Sequence, residues 1–504
     1  MSLENNKRIA KNTLLLYFRM FVVMFVSLFT SRIVLNALGV IDYGIYNLVG
    51  GIVAFFSIIS GAVSSSISRF ITFELGIGDK YKIQKVFSTS VITMLLLSFI
   101  FIILAESIGL WFINSYLEIK TDRIFAANIV YQLSILTFVV NLLSIPYNAL
   151  IIAHEKMKIF ANIGIFEVLC KVIIAFIVMY STRDVLILYS ILIFILSLIV
   201  RLIYGYYCKK NFDESKLIYC FDKKLTTKMF SFAGWNTIGA SAGVLCSQGS
   251  NILINIFFGL TLNAARAISL QVENALNQFV TNLMTAIEPQ IIKSYAANNK
   301  NYTYELINNG AKYSFFLIMI LSIPIFFETN YILQLWLNIV PEYTPIFIKI
   351  SLITLLIQTY SSTLMIAIVA GGDIKIYQLI VGGIQLLNFP ISLIILYLGY
   401  NAISIYIVYL ILTCISLIAR LYILKKKINL PILNFYNTIK KTLLILSLSI
   451  IVPFLITNYM DESIYRLITT TLSSILISII CIYLLGLNKT EKQLVIDKIS
   501  KLKK

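Results

Sequence analysis

Charged residues are scarce in this chain, and their scarcity excludes a water-soluble domain. Of its 504 residues only 13% are charged, whereas 59% are hydrophobic. A soluble domain needs roughly 25% charged residues to solvate its surface. Long apolar runs recur instead from one end of the chain to the other, and a bilayer core needs about 20 apolar residues per spanning helix. The composition therefore predicts an all-α, polytopic membrane protein.

Motifs for catalysis and cofactor binding are also missing. The single histidine, His154, lies beside Glu155 in a short loop, where a solvated side chain is the simplest interpretation. No Walker-type loop, nucleophile elbow or HExxH segment occurs. The six cysteines are scattered without a CxxC pair, so nothing predicts a metal site or a disulfide framework. We therefore expect no cofactor, no catalytic residues and no ATP-driven transport by this chain alone.

Two further classes are disfavoured. Residues 1–12 are polar, and the apolar run after them is too long for a signal peptide and lacks a small-residue cleavage site, so we expect no cleavable signal. The net charge of +18 does not indicate a nucleic-acid partner, because the lysines lie in short loops between apolar runs. The distribution of these lysines predicts the orientation of the chain in the membrane instead.

Hydropathy divides the chain into about fourteen spans. They are 12–36, 43–68, 84–106, 124–152, 159–181, 185–207, 229–258, 262–292, 307–329, 344–370, 374–398, 401–424, 437–458 and 464–485. Lysine and arginine concentrate in alternate loops and in a basic tail, Lys489–Lys504. The positive-inside rule therefore predicts that both termini are cytoplasmic. The longest outside loop, 107–123, is short, and the connections at 37–42, 182–184 and 259–261 are tight.

The chain resembles itself at an offset of 220 residues. Gly39 and Gly259 each follow one apolar helix and precede a second, which ends in a polar stretch. This pattern predicts two pseudo-symmetric six-helix lobes around a central cavity, as in transporters built from repeats. The predicted domains are an N-terminal lobe at 1–207, a cytoplasmic basic linker at 208–228, a C-terminal lobe at 229–424, and two additional helices with the tail at 425–504.

Polar residues form stripes on the two helices that open the second lobe. Charge at membrane depth is costly and usually faces a bundle interior or a wet cavity. Arg266, Glu273, Asn277, Thr281 and Glu288 fall within roughly 80° of one another at 100° per residue, with Asn263 at the edge of that arc. On the preceding helix Asn236, Ser247, Gln248, Asn251 and Asn255 lie within about 120°. We expect both stripes to line the inner wall of the lobe.

The first lobe carries fewer such residues. Arg19 shares a face of the first span with Asn12 and Thr30 to within about 20°. Glu167 and Lys171 form an i, i+4 pair, for which packing and substrate contact are equally good interpretations. For four other cations we favour snorkelling to the membrane surface or a local ion pair. One of them, Arg32, is also kept with Glu167 and Lys171 as a second-rank candidate for a charge that lines the cavity. The four are Arg32, Arg201, Lys349 and Arg420.

Four segments resemble a known family. The first-loop segment 38–51, LGVIDYGIYNLVGG, and the continuation SSSISRF at 64–70 with ELG at 74–76 are similar to Wzx-type polysaccharide flippases. These belong to the multidrug/oligosaccharidyl-lipid/polysaccharide exporter superfamily. In the second lobe, LNAARAI at 262–268 and EPQ at 288–290 are similar to the corresponding family segment.

The resemblance implies a function in surface polysaccharide (O-antigen or capsule) biosynthesis. Such a protein of the bacterial inner membrane would flip an undecaprenyl-diphosphate-linked oligosaccharide to the periplasmic leaflet by alternating access. Arg19 and Arg266 would bind the diphosphate, and the amide-bearing stripe residues Asn236, Gln248, Asn251, Asn263 and Asn277 the glycan. Glu273 and Glu288 are candidates for ion coupling. A polysaccharide polymerase and a chain-length regulator would be its partners beside the lipid-linked cargo and the bilayer.

Two alternatives stay open. A cation-coupled drug antiporter of the MATE branch would share the two-lobe fold, but that branch typically has twelve helices. A membrane enzyme acting on lipid-linked sugars, such as a polymerase or ligase, typically places its catalytic groups in a large outside loop. The longest outside loop here is too short for that and lacks a catalytic constellation.

Overall fold

The computed structural model describes residues 2–54, 57–111, 123–181, 184–218, 222–337, 340–489 and 491–493. Within these ranges the chain is almost entirely helical and contains no strand. Helices alone satisfy every backbone donor and acceptor within one segment, as hydrocarbon requires. The all-α prediction is confirmed. Most of the predicted outside loop 107–123 and of the basic tail lies outside the described residues, as does Cys220.

Fourteen helices are defined here in chain order. The first seven are α1 (Ser2–Ala54), α2 (Ser57–Ile77), α3 (Lys80–Leu104), α4 (Ile124–Ala153), α5 (Met157–Met179), α6 (Val185–Asn211) and α7 (Lys223–Ala296). The others are α8 (Lys300–Phe327), α9 (Thr329–Trp336), α10 (Thr344–Ala370), α11 (Lys375–Tyr397), α12 (Ile403–Ile428), α13 (Ile432–Tyr459) and α14 (Ile464–Cys481).

Twelve segments of the described chain are long and apolar enough to cross a membrane. They match twelve of the predicted spans, with ends that differ by at most seven residues. The two predicted spans without a counterpart are 43–68 and 262–292. The first overlaps residues 55 and 56, which are not described, and the second is helical throughout but carries the polar stripe of Arg266, Glu273 and Asn277. The number of spans thus agrees approximately with the prediction.

Single glycines replace two of the predicted tight loops. Gly39 has φ 73° and ψ 168° inside α1, and Gly259 has φ 77° and ψ −170° inside α7. This region of backbone space is essentially reserved for glycine, because a Cβ is disfavoured there. The same pair of angles therefore recurs 220 residues apart, as does a second positive φ at Gly78 and Asn298. The predicted loops at 37–42 and 259–261 were too long, since one residue suffices to redirect each helix.

The described chain divides into two compact units. Unit 1 comprises residues 1–240 and 292–299, and unit 2 comprises 241–291 and 300–504. Helix α7 accordingly contributes its two ends to unit 1 and its middle to unit 2. One hydrophobic cluster of unit 1 buries Ile67, Phe87 and Met94. The predicted domain boundaries at 207, 228 and 424 stay a prediction.

Aspartates begin three of the helices. Asp79, Asp184 and Asp222 accept hydrogen bonds from backbone N–H groups in the first turns of α3, α6 and α7, respectively. Such N-caps satisfy donors that the helix itself leaves unpaired. The backbone hydrogen bond from Lys82 and the ion pair with its side chain lower the pKa of Asp79.

Helix α11 is less regular than the single predicted span 374–398. A π-helical turn at Gln378–Gly382 and a break at Leu387 divide it into short segments. Such π-turns are frequent at functional sites. In α11 the irregularity positions Gln385 in two polar cavities, described below.

Helix α14 and the segment after it pair with α8 and the residue that follows α8 through buried charges, and both α13 and α14 belong to unit 2. Arg466 at the start of α14 donates to both carboxylate oxygens of Glu328, with Nη2–Oε2 at 3.0 Å, and Thr470 donates to Glu328 Oε1 at 2.9 Å. Glu328 is completely buried. After α14, Glu491 accepts from Lys312 Nζ at 2.7 Å and from Tyr313 at 2.6 Å. The two helices outside the predicted repeat are therefore part of unit 2.

Replacing Gly259 by Ala should destabilise the protein by about 1–3 kcal/mol, because alanine must adopt the φ of 77°. Gly234→Ala is the matched control: it lies in the same helix, and an added Cβ would also meet no atom within 4 Å. That change should stabilise by about 0.5–1 kcal/mol, as alanine does in a helix interior. Thermal unfolding in detergent measures both. Equal shifts for the two variants would show that the positive φ is not required.

Arg466→Met should destabilise the protein by about 3–5 kcal/mol, since it leaves the Glu328 carboxylate buried and unpaired. The double variant Arg466→Met/Glu328→Gln should recover most of that loss because no charge stays buried. Lys216→Met breaks an exposed ion pair with Asp213 and should leave the unfolding midpoint nearly unchanged. Unfolding midpoints compare the three. A double variant no more stable than Arg466→Met would contradict this explanation.

Candidate functional site

Unit 2 contains a small polar cavity around Arg266. The cavity has a volume of about 180 Å³ and is bounded by α7, α10, α11 and α12. Its lining includes Ser247, Ser250, Arg266, Glu273, Asn274, Ser351, Gln385, Tyr406 and Tyr409. Charged and hydroxyl groups within a membrane are costly unless they meet polar partners, so they usually face the interior of a helix bundle or a wet cavity.

Arg266 is buried and held by the preceding part of α7. Its Nε donates to Asn251 Oδ1, and its Nη2 donates to the Ser247 carbonyl oxygen at 3.1 Å. Asn251 in turn donates to Gln248 Oε1 at 3.0 Å. The break at Gly259 makes these contacts possible, because it folds one part of α7 back beside the other. Three residues of the two predicted stripes, Arg266, Asn251 and Gln248, are thus brought together.

Glu273 lies two helical turns beyond Arg266 and lines the same cavity. Its carboxylate attracts the Arg266 guanidinium and interacts with Ser351, whose hydroxyl also lies 3.1 Å from that of Ser269. The guanidinium carbon stands 5.6 Å from the ring centre of Tyr406. The positive charge of Arg266 is therefore balanced by an acid and by an aromatic face.

A second polar cavity, of about 290 Å³, adjoins the first and shares Gln385 and Tyr409 with it. Hydroxyl and amide side chains dominate its lining, and Gln358 Nε2 donates to the Tyr409 hydroxyl at 3.0 Å. The lining includes Asn277, Gln358, Thr359, Ser361, Ser362, Gln385, Tyr409, Thr413, Ser416 and Arg420. Asn277 belongs to the predicted stripe but lies in this cavity rather than beside Arg266.

Arg420 does not snorkel to a surface, contrary to one of the two interpretations favoured from the sequence. It is buried in the wall of the second cavity, where Nη1 donates to Ser361 Oγ at 3.2 Å and Nε to the Tyr377 hydroxyl at 3.4 Å. A sequence signal for this position exists. Tyr409, Thr413, Ser416 and Arg420 follow one another at spacings of four, three and four residues, which places them on one face of α12.

In unit 1, Arg19 packs against α5. Its guanidinium lies over the Phe160 ring, 4.2 Å from the ring centre, and the Glu167 carboxylate attracts it. Gly164 leaves the room for this approach, since a Cβ there would lie 2.3 Å from Arg19 Nε. The predicted pair of Glu167 and Lys171 forms, at 2.7 Å. These four side chains make a mixed-charge cluster in which Arg19 Nε has no hydrogen-bond partner in the described residues.

The other predicted site residues are dispersed. Asn236 lies in the part of α7 that belongs to unit 1, apart from Gln248 and Asn251. Asn263 and Glu288 are partly buried, and the Glu288 carboxylate forms no ion pair within the described ranges. Arg32 is exposed on α1, as a residue that snorkels would be. The stripes of the sequence thus resolve into a compact set around Arg266 and Asn277 and a set of separate positions.

Chemically, the two cavities combine cations, amides, hydroxyls and tyrosine rings. Arginine binds phosphate and carboxylate oxygens with paired N–H groups. Amides and hydroxyls both donate to and accept from sugar hydroxyls. The arrangement is therefore suited to binding an anionic, hydroxyl-rich ligand.

Comparison with known proteins places this fold and sequence. A multidrug resistance MATE family transporter of the MOP superfamily, in an outward-facing conformation, has a TM-score of 0.71 at 12% identity, over 84% of this chain and 96% of that one. A MATE structure in the bent conformation has a TM-score of 0.72 at 12% identity, over 87% of this chain and 97% of that one. A MOP superfamily transporter from Pyrococcus furiosus has a TM-score of 0.68 at 10% identity, over 84% of this chain and 96% of that one. At these identities the likeness shows the fold alone.

Sequence comparison is more specific. No curated protein matches the chain. The profile of a family described as "Polysaccharide biosynthesis protein" matches residues 9–295, which is more than half of the 504 residues. This agrees with the resemblance carried by the segments at 38–51 and 262–268. The chain is therefore a membrane protein with the fold of MOP superfamily transporters, and it belongs to the polysaccharide biosynthesis protein family.

Proposed function

We propose that this protein flips an undecaprenyl-diphosphate-linked oligosaccharide from the cytoplasmic to the periplasmic leaflet by alternating access. The observation that carries the proposal is the arginine-containing polar cavity on the inner face of α7, in a chain of the polysaccharide biosynthesis family. The transporter fold supports movement of a cargo rather than catalysis. The product would serve O-antigen or capsule assembly.

The cavity chemistry supports this cargo. A diphosphate requires cations inside a wet, protein-lined space, and Arg266 supplies one in unit 2. A glycan requires amides and hydroxyls, which Gln248 and Asn251 supply beside that cation and Asn277 supplies in the adjoining cavity. We propose Arg19 as the corresponding cation of unit 1.

The basic loops support the proposed location and orientation. Under the positive-inside rule, lysines such as Lys425, Lys426 and Lys427 at the end of α12 lie on the cytoplasmic side. We propose the bacterial inner membrane as the location, with both termini in the cytoplasm. A polymerase and a chain-length regulator would act on the product in the periplasm.

A MATE-like cation-coupled drug antiporter is the second candidate, because the solved structures that share this fold include multidrug transporters. The amide- and hydroxyl-rich walls favour a glycan over an apolar drug. A drug-export assay distinguishes the two candidates. Increased resistance to cationic drugs without any restoration of surface glycan would support the antiporter.

Arg266→Ala should abolish flipping, because the variant lacks the cation that we assign to the diphosphate. The test is complementation of a bacterial strain that lacks its own flippase and makes a matched lipid-linked glycan. Surface glycan and the cytoplasmic-leaflet pool of precursor are both measured, at equal protein levels. Lys349→Ala is the matched control: this cation packs over Phe326 outside both cavities and should complement like the wild type. Equal complementation by Arg266→Ala would contradict the assignment.

Glu273→Gln should lower transport and flatten its pH dependence, if the carboxylate beside Arg266 carries the coupling proton. Transport is measured in proteoliposomes over a range of pH, with a proton gradient imposed or collapsed. Glu288→Gln tests the second candidate, which has no ion pair in the described part of the chain. Unchanged transport with an unchanged pH profile for Glu273→Gln would eliminate it as the coupling group.

A further inference from the structure

Arg420 is a buried cation whose charge is not balanced by any carboxylate in the described residues. Its side chain is 92% buried, since only 8% of its surface is exposed. Both hydrogen bonds of its guanidinium go to neutral hydroxyls, those of Ser361 and Tyr377. A buried charge without a counter-ion is strongly unfavourable. Some further anion is expected to compensate for it.

The other buried arginines of unit 2 differ from Arg420 in this respect. Arg466 forms a close ion pair with Glu328. Arg266 has the Glu273 carboxylate in its cavity and an amide oxygen on its Nε. Arg420, in contrast, lines a cavity that has no acidic residue in its wall. Within the described residues no acidic side chain lies in position to balance the charge of Arg420, which leaves it available to an anion that enters the cavity.

A second observation also indicates a ligand at this cavity. Ser416 lines it one helical turn before Arg420, is 1% exposed, and its Oγ has no hydrogen-bond partner in the described residues. A buried hydroxyl without a partner is unfavourable. An oxygen of a bound ligand would satisfy it together with the guanidinium. Hydroxyl and amide groups, including those of Thr413 and Gln358, form much of the remaining wall, together with four apolar side chains.

We propose that Arg420 and Ser416 bind an oxyanion carried by the cargo, either a phosphate or a sugar carboxylate, in the 290 Å³ cavity. This rests on the proposed function and adds to it a binding residue that discriminates anionic from neutral cargo. The volume is near the lower end of the roughly 300–1,000 Å³ of small-molecule sites, so the cavity suits one charged group with an adjoining sugar. The shared residues Gln385 and Tyr409 connect this subsite to that of Arg266.

The test measures equilibrium binding to the purified full-length protein in nanodiscs. Three probes are titrated: undecaprenyl diphosphate without sugar, an oligosaccharide that carries glucuronic acid, and a neutral oligosaccharide of the same length. Arg420→Gln should lower the affinity for one or both anionic probes by about tenfold to a hundredfold, as expected for the loss of a charged hydrogen-bonding partner. It should leave the neutral probe unchanged. Weakening of only the diphosphate identifies phosphate as the ligand, and weakening of only the acidic oligosaccharide identifies carboxylate.

Two further variants keep the result interpretable. Lys426→Gln removes the same charge from the same helix, but its side chain is exposed over Tyr422, so binding should not change. Ser416→Ala removes a hydroxyl without a partner, so the unliganded protein should not lose stability while the anionic probe binds about 2- to 10-fold more weakly. This variant tests the subsite even if Arg420→Gln fails to fold.

The outcomes separate this inference from the proposed function. Wild-type binding of an anionic probe that neither Arg420→Gln nor Ser416→Ala weakens would overturn the inference alone. Wild-type protein that binds no anionic probe, and fails in the complementation assay, would overturn both. Surface glycan restored by the wild-type protein, together with weaker binding of the anionic probe by Ser416→Ala, supports both.

Discussion

Hydrocarbon forms no hydrogen bonds with the peptide group, and this constraint determines much of the described structure. Every backbone donor and acceptor must be satisfied within the protein, so the chain forms helices that change direction over very few residues. At Gly39 and Gly259 one residue with a positive φ suffices. At Gly259 that change of direction places Arg266 beside Asn251, within the same α-helical stretch. The polar site therefore follows from the way in which the backbone avoids an unsatisfied loop.

The same constraint governs charged side chains, and three buried arginines of unit 2 satisfy it to different degrees. Arg466 is fully paired with Glu328, which is a structural solution that anchors α14 to the end of α8. Arg266 is partly balanced by Glu273 and by amides. Arg420 has only neutral hydroxyls. The balancing of the arginine charge therefore decreases from Arg466 to Arg266 to Arg420. The capacity to bind an added anion increases along the same series, because an ion that is already paired gains little from a second counter-ion.

Local patterns in the sequence were sufficient for the helices but not for all of their contacts. Hydropathy predicted fourteen spans, twelve of which match membrane-competent segments of the described chain, and periodicity placed Arg266, Asn251 and Gln248 on faces that do meet. The ion pair of Glu328 with Arg466 joins residues 138 positions apart, and no periodic pattern specifies such a partner. The polar face of α12 does indicate Arg420, but its partners Ser361 and Tyr377 come from α10 and α11, and no pattern within α12 specifies them.

The repeat illustrates which features of a sequence persist when side chains diverge. The segments 220 residues apart share few identical residues, yet a positive φ recurs at Gly39 and Gly259 and again at Gly78 and Asn298. Side chains on a helix tolerate many substitutions, whereas these backbone conformations admit few residue types. Asparagine replaces glycine at the second pair because it tolerates the left-handed region better than other residues. Backbone conformation, more than side-chain identity, thus preserves the correspondence between the two halves, which leaves the polar residues of each half free to differ.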